Sequence, residues 1–111
     1  MIDEPTFRRV CDQALESLKQ SLIDAEEEGG FETEEKNGVL NVLFEDGSSK
    51  FVFTPQTPVR QIWISARSTS YKLEWSEDSS QFVLSKTGES LRPLTERLLR
   101  EQLEDPSIRL S

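Results

Sequence analysis

A chain of 111 residues with net charge −8, no histidine and one cysteine, Cys11, excludes the ordinary zinc, haem and histidine-based catalytic sites and any intramolecular disulfide. The acid excess lies in residues 1–35, eleven carboxylates against three cations, while the remaining residues balance at ten and ten. That placement argues against nucleic acid as a partner and suits cations or a basic protein surface.

One domain spanning 1–111 is expected from the length. A lone cysteine suits a reducing compartment, here the cytoplasm. No apolar run approaches the ~20 residues of a membrane span, and residues 1–25 are too acidic for a targeting peptide.

Residues 3–28 read as one amphipathic helix. Asp3 caps it, with Glu4 and Pro5 in the first turn. Phe7, Cys11, Ala14, Leu18 and Leu22 recur at spacings of three and four. Asp12, Glu16, Gln20 and Glu27 occupy the opposite face, joined obliquely by Asp24 and Glu28. Glu26-Glu27-Glu28 stands at the helix end where the dipole disfavours negative charge, and Gly29-Gly30 stops the helix. Such a run is either a solvated face or a ligand surface.

Phe31 to Lys36 alternates as a short edge strand whose charges discourage pairing with another chain. Its Glu32 and Glu34 share one side, expected to meet the end of the helix. Asn37-Gly38 is a hairpin signal, and Val39 to Phe44 returns with Leu40, Val42 and Phe44 buried. Glu45 to Ser48 turns again. Ser49 to Thr54 follows with Phe51 and Phe53 inward. Gln61 to Ser65 is the central strand, with Ile62 and Ile64 to the core and Trp63 toward solvent. A polar loop over Ala66–Ser70 leads to the alternation Tyr71, Leu73, Trp75; Glu77 to Ser80 turns; Phe82-Val83-Leu84 closes the set. Ser90 is the expected N-cap of a second helix with the stripe Leu91, Leu94, Leu98, Leu99, Leu103, stopped by Pro106, with Ile108 and Leu110 tucked against the helices.

Helix, about six antiparallel strands, helix predicts an α+β fold, a two-layer α-β sandwich with both helices on one sheet face. Trp63, Asn41, Lys50 and Val52 are placed on the other, open face.

No glycine-rich phosphate loop is present, and the serines lack a histidine to activate them. Cys11 lies on the apolar helix face and reads as a small buried hydrophobe. What remains is carboxylate oxygen, which suits hard cations bound weakly, with water completing the coordination. Asp12 and Glu16, one turn apart, are close enough to share an ion.

The run Phe51-Val52-Phe53-Thr54-Pro55-Gln56-Thr57-Pro58-Val59-Arg60-Gln61-Ile62-Trp63-Ile64-Ser65, preceded by Asn37-Gly38-Val39-Leu40 and followed by Tyr71-Lys72-Leu73-Glu74-Trp75, closely resembles the frataxin family in its bacterial, CyaY-like form. The resemblance implies weak binding of Fe2+ or Fe3+, with other divalent cations possible, along an acidic ridge of Asp12, Glu16, Asp24, Glu27, Glu28, Glu32, Glu34 and Glu35. It implies as partners the cysteine desulfurase and scaffold protein of iron–sulfur cluster assembly, met through Trp63, Asn41, Gln61 and Lys50. It also implies an accessory protein, monomeric when iron-free, with at most a weak ferroxidase activity. The alternative role is iron storage or detoxification through oligomers that form on iron loading. Thr54-Pro55 and Ser68-Thr69-Ser70 depart from the family pattern, and histidine ligands found at some family metal sites are absent.

Overall fold

The computed structural model describes residues 2–47 and 49–110, without the side chain of Glu28. Helix α1 spans Glu4–Ala25, and Asp3 Oδ1 accepts from the Thr6 amide at 2.9 Å to cap it. That bond holds the Asp3 carboxyl below its ordinary value. The helix ends earlier than the run to residue 28 suggested. A 3-10 turn over Glu26–Glu28 replaces its last turn, and Gly29 follows at φ 86°. Glu26 Oε2 accepts from the Thr33 amide at 2.9 Å and so ties this turn to the first strand. At Gly30, φ is 96° and a Cβ would stand 2.9 Å from Leu103 Cδ2, so both the backbone conformation and the neighbouring side chain favour glycine.

The strands are β1 (Phe31–Lys36), β2 (Val39–Phe44), β3 (Lys50–Gln56), β4 (Gln61–Ala66), β5 (Thr69–Ser76), β6 (Gln81–Leu84) and β7 (Glu89–Ser90), and helix α2 spans Leu91–Leu103. They form one antiparallel sheet in sequence order. Asn37 and Gly38 turn β1 into β2 with φ 55° and 80°, as the favoured two-residue hairpin requires. In the next turn Gly47 donates to the Phe44 carbonyl at 2.9 Å, while Ser48 lies outside the described residues.

Three boundaries differ from the sequence reading. There are seven strands rather than six, because Glu89 and Ser90 pair with Leu84 and Val83 before α2 begins. Two residues carry no readable alternation. Strand β3 runs through Pro55, which pairs with Ile62. The last β2–β3 pair is Leu40 with Phe53, so Pro55 has no partner on β2. The loop expected over Ala66–Ser70 shrinks to Arg67-Ser68, at φ 51° and 64°, and Ala66 is buried.

One face of the sheet supplies Phe51, Phe53, Ile62, Ile64, Leu73 and Phe82 to a core completed by Phe7, Leu18 and Leu22 of α1 and Leu94, Leu98 and Leu99 of α2. Each such side chain contributes about 1.5–3 kcal/mol by leaving water. Ser90 stands at the N-cap of α2, but its hydroxyl makes no cap bond. Helix α2 stops at Leu103, before Pro106: Glu104 turns left-handed and the Asp105 amide bonds back to the Arg100 carbonyl at 3.1 Å. The tail then packs down. Ile108 and Leu110 are buried, held by Arg100 Nε to the Ile108 carbonyl at 2.8 Å and by the Leu110 amide to Glu96 Oε2 at 2.8 Å. Among the described residues no helix is long and apolar enough to cross a membrane.

Candidate metal and partner surface

Packing α1 beside the edge strand β1 divides the acidic residues instead of pooling them. Strand alternation puts Phe31, Thr33 and Glu35 on the helix side, opposite Phe44, Val42 and Leu40. Glu32 and Glu34 pair with Leu43 and Asn41 and so lie on the open face, away from α1. The expectation that these two would meet the helix end is therefore corrected. The signal was in the sequence: burying Phe31 commits Glu32 and Glu34 to the other side.

Glu35 is the strand acid that does meet α1. It accepts from Lys19 Nζ at 3.3 Å, and the same ammonium lies 4.0 Å from Glu16. Lys19 thus stands where helix ridge and strand join. Asp12, one turn before Glu16, is exposed and rims a cleft of about 420 Å3 that also touches Cys11 and the Asn37-Gly38 turn. Asp24 is twelve residues from Asp12, about a third of a turn around the helix, and belongs to a different stripe. Glu27 is exposed on the 3-10 turn, and the side chain of Glu28 lies outside the described residues. Of that acidic triplet, Glu26 has a structural partner in Thr33, which the sequence reading missed. An edge amide within reach of a carboxylate is invisible until the strand is placed.

Among the described residues no three acidic, histidine or cysteine side chains converge as a metal cluster. The arrangement supplies carboxylate oxygens singly or in pairs. Such donors fit hard cations with several water ligands, and they predict low affinity and little selectivity. Cys11 adds nothing to this chemistry. It is 1% exposed, and burial, aided by the nearby Asp12 charge, pushes its thiol up to about 12.

The open face carries the four residues expected to meet partners. Trp63 is half-buried, donating from Nε1 to Gln61 Oε1 at 2.6 Å, with Lys72 Nζ 4.7 Å from its ring centroid. These two neighbours hold the indole against the sheet. Lys72 was missed because its position opposite Trp63 depends on the tight Arg67-Ser68 turn. Asn41 is half-buried, and its Nδ2 donates to the Val39 carbonyl at 3.4 Å; Lys50 is exposed. Cross-strand register aligns Glu34, Asn41, Val52, Ser65 and Ser70 in one row, beside the row Thr54, Trp63, Lys72. Acidic edge and tryptophan lie on one continuous face.

The frataxin-like domain family matches residues 1–105 of the chain. The chain belongs to the frataxin family. Frataxin-family relatives named iron–sulfur cluster assembly protein CyaY include one from Pseudomonas putida, 34% identical over 90 residues that cover 79% of this chain and 81% of the relative. Another, from Azotobacter vinelandii, is 31% identical over 93 residues, covering 82% and 84%. A solved frataxin from Psychromonas ingrahamii superposes with a TM-score of 0.75 over 99% of this chain and 97% of its own; at 15% identity it shares the fold. The frataxin architecture accounts for two helices on one face and a free face on the other.

Proposed function

We propose that this frataxin-family protein is a cytoplasmic adaptor of iron–sulfur cluster assembly. It binds the cysteine desulfurase and scaffold proteins and presents weakly held iron to them. One observation carries the reading: the strand register puts Glu32 and Glu34 on the same open face as Asn41, Lys50, Gln61 and Trp63. At ~4.8 Å per strand and ~3.4 Å per residue, Glu34 and Trp63, three strands and one row apart, are separated by roughly 16 Å, within one partner's footprint. Trp63 supplies a rigid aromatic anchor, the carboxylates steer a basic partner, and α1's outer acids extend the charge around the edge. No side chain needs to form a covalent bond to substrate in this role. The relatives' name as cluster assembly proteins favours it over storage.

Iron in this reading is cargo, held through carboxylate and water at Asp12, Glu16, Asp24, Glu27, Glu28, Glu32, Glu34 and Glu35. The test is an anaerobic Fe2+ titration followed by amide NMR. Broadening confined to α1's outer face and to β1 is the expected result. Unchanged spectra at millimolar iron would remove the metal half and leave a docking surface. Growth of the particle on loading would instead favour storage.

A further inference from the structure

The flank away from β1 holds a cavity of about 490 Å3 bounded by the middle of α1, the β5–β6 turn and the start of α2. Its walls include Val10, Ala14, Trp75 and Pro93, and among the described residues Arg92 is the one charged residue that lines it. Arg92 differs from the other arginines of α2. Arg97 is paired with Glu89 at 2.7 Å and with Glu101 at 2.9 Å, and Arg100 with Glu96 at 3.1 Å. Arg92 donates from Nη2 to the Ser17 hydroxyl at 2.5 Å, and its Nε is buried with no hydrogen-bond partner. Among the described residues it meets no carboxylate. A buried N–H without an acceptor on a cation without a counter-charge calls for an explanation. Ser90, whose hydroxyl does not cap α2, lines the same cavity.

We propose that this cavity binds a small organic monocarboxylate with an apolar body. The guanidinium of Arg92 takes the carboxylate, with the Ser17 and Ser90 hydroxyls beside it. Adjusting the Arg92 side chain brings Nε as well as Nη2 to the two oxygens in the forked geometry that arginine favours. The indole of Trp75 and the aliphatic wall of Val10 and Ala14 receive the body. One cation matches one negative charge, so inorganic phosphate is the poorer ligand. The volume falls within the range of small-molecule sites. None of the residues lining the cavity belongs to the iron and partner surface described above.

Sodium benzoate, neutral benzamide and inorganic phosphate are the probes, titrated into the labelled full chain and followed by NMR. Benzoate is expected to give saturable shifts at Ser17, Arg92 and the Trp75 indole, with millimolar affinity. Arg92→Gln should weaken it about tenfold or more, and Arg92→Lys, which keeps the charge without the fork, should fall between. The amide spectrum of each variant verifies its fold, and Ser17→Ala supplies a second perturbation if Arg92→Gln does not fold. Benzamide binding as well as benzoate, equal benzoate affinity in a folded Arg92 variant, or shifts scattered over the surface would each overturn the proposal.

Discussion

The β1 flank and the α2 flank both crowd charge onto the surface, with opposite results. Along α2 the signs alternate: Arg97 lies between Glu89 and Glu101, Arg100 meets Glu96, and Arg67 reaches Glu101 at 3.9 Å. Along α1 and β1, Lys19 is the one cation bridging ridge and strand, and Asp12, Asp24, Glu27, Glu32 and Glu34 have no ion pair among the described residues. Alternating signs satisfy one another and contribute modestly to stability. A run of one sign costs stability and leaves its charges available to a partner or a cation. The α2 flank is cross-linked by its charges, and most acids of the β1 flank stand without an ion pair among the described residues.

The largest expected effect separates placement from net charge. Reversing Asp12, Glu16 and Glu27 to lysine should weaken desulfurase binding at least about tenfold, roughly 1.4 kcal/mol by calorimetric titration. Reversing Glu77, Asp78 and Glu104, an equal change in charge elsewhere, should cost less than about twofold. Equal losses would reduce the acidic ridge to long-range steering. Reversing only Asp12 and Glu27, which have no ion pair among the described residues, should also stabilise the fold and make its melting temperature less dependent on salt, because it removes like-sign repulsion without disturbing the contact of Glu16 with Lys19.

A smaller effect tests whether Glu26 belongs to structure or to the ridge. Glu26→Ala takes the acceptor from the Thr33 amide and should cost about 1 kcal/mol in urea denaturation, with faster hydrogen exchange at Thr33. Glu26→Gln keeps an acceptor while removing a charge and should remain near the parent. An alanine variant as stable as the parent would show that the bond to the Thr33 amide contributes nothing to the fold.

The smallest lies on the α2 flank. Hydrogen bonds from Arg97, and to a lesser degree from Thr87, hold the Glu89 carboxyl below its ordinary 4.5 against the opposing effect of burial. A carboxylate with a lowered folded value contributes fully above the ordinary value and loses that contribution as pH falls through the folded one. Glu89→Gln should therefore cost about 0.5–1 kcal/mol at neutral pH, the scale of a partly exposed ion pair, and the difference should vanish on acidification. A difference independent of pH would show that packing, not charge, links β7 to α2.

Local chemistry made much of this legible. The Asn37-Gly38 hairpin, the inward Phe51 and Phe53, the half-exposed Trp63 and the burial of Ile108 and Leu110 all follow from alternation, turn residues and the cost of leaving large aliphatics in water. Strand β7 was not legible, because two residues carry no period. Neither was the Arg67-Ser68 turn, because positive φ is seldom adopted by residues of those types. The bridge through Lys19 was missed because it joins residues sixteen positions apart.

Periodicity and composition within short windows set the order of the two helices and of β1 to β6, most of the core and the confinement of excess acid to the first third. The tertiary structure sets how those acids are divided between the helix side and the open face, and where Lys19 and Glu26 find their partners. It alone placed Arg92 beside a cavity instead of a carboxylate. Those outcomes depend on strand register and on how α1 and α2 pack over the sheet, distances set by the whole core and by no neighbouring residue.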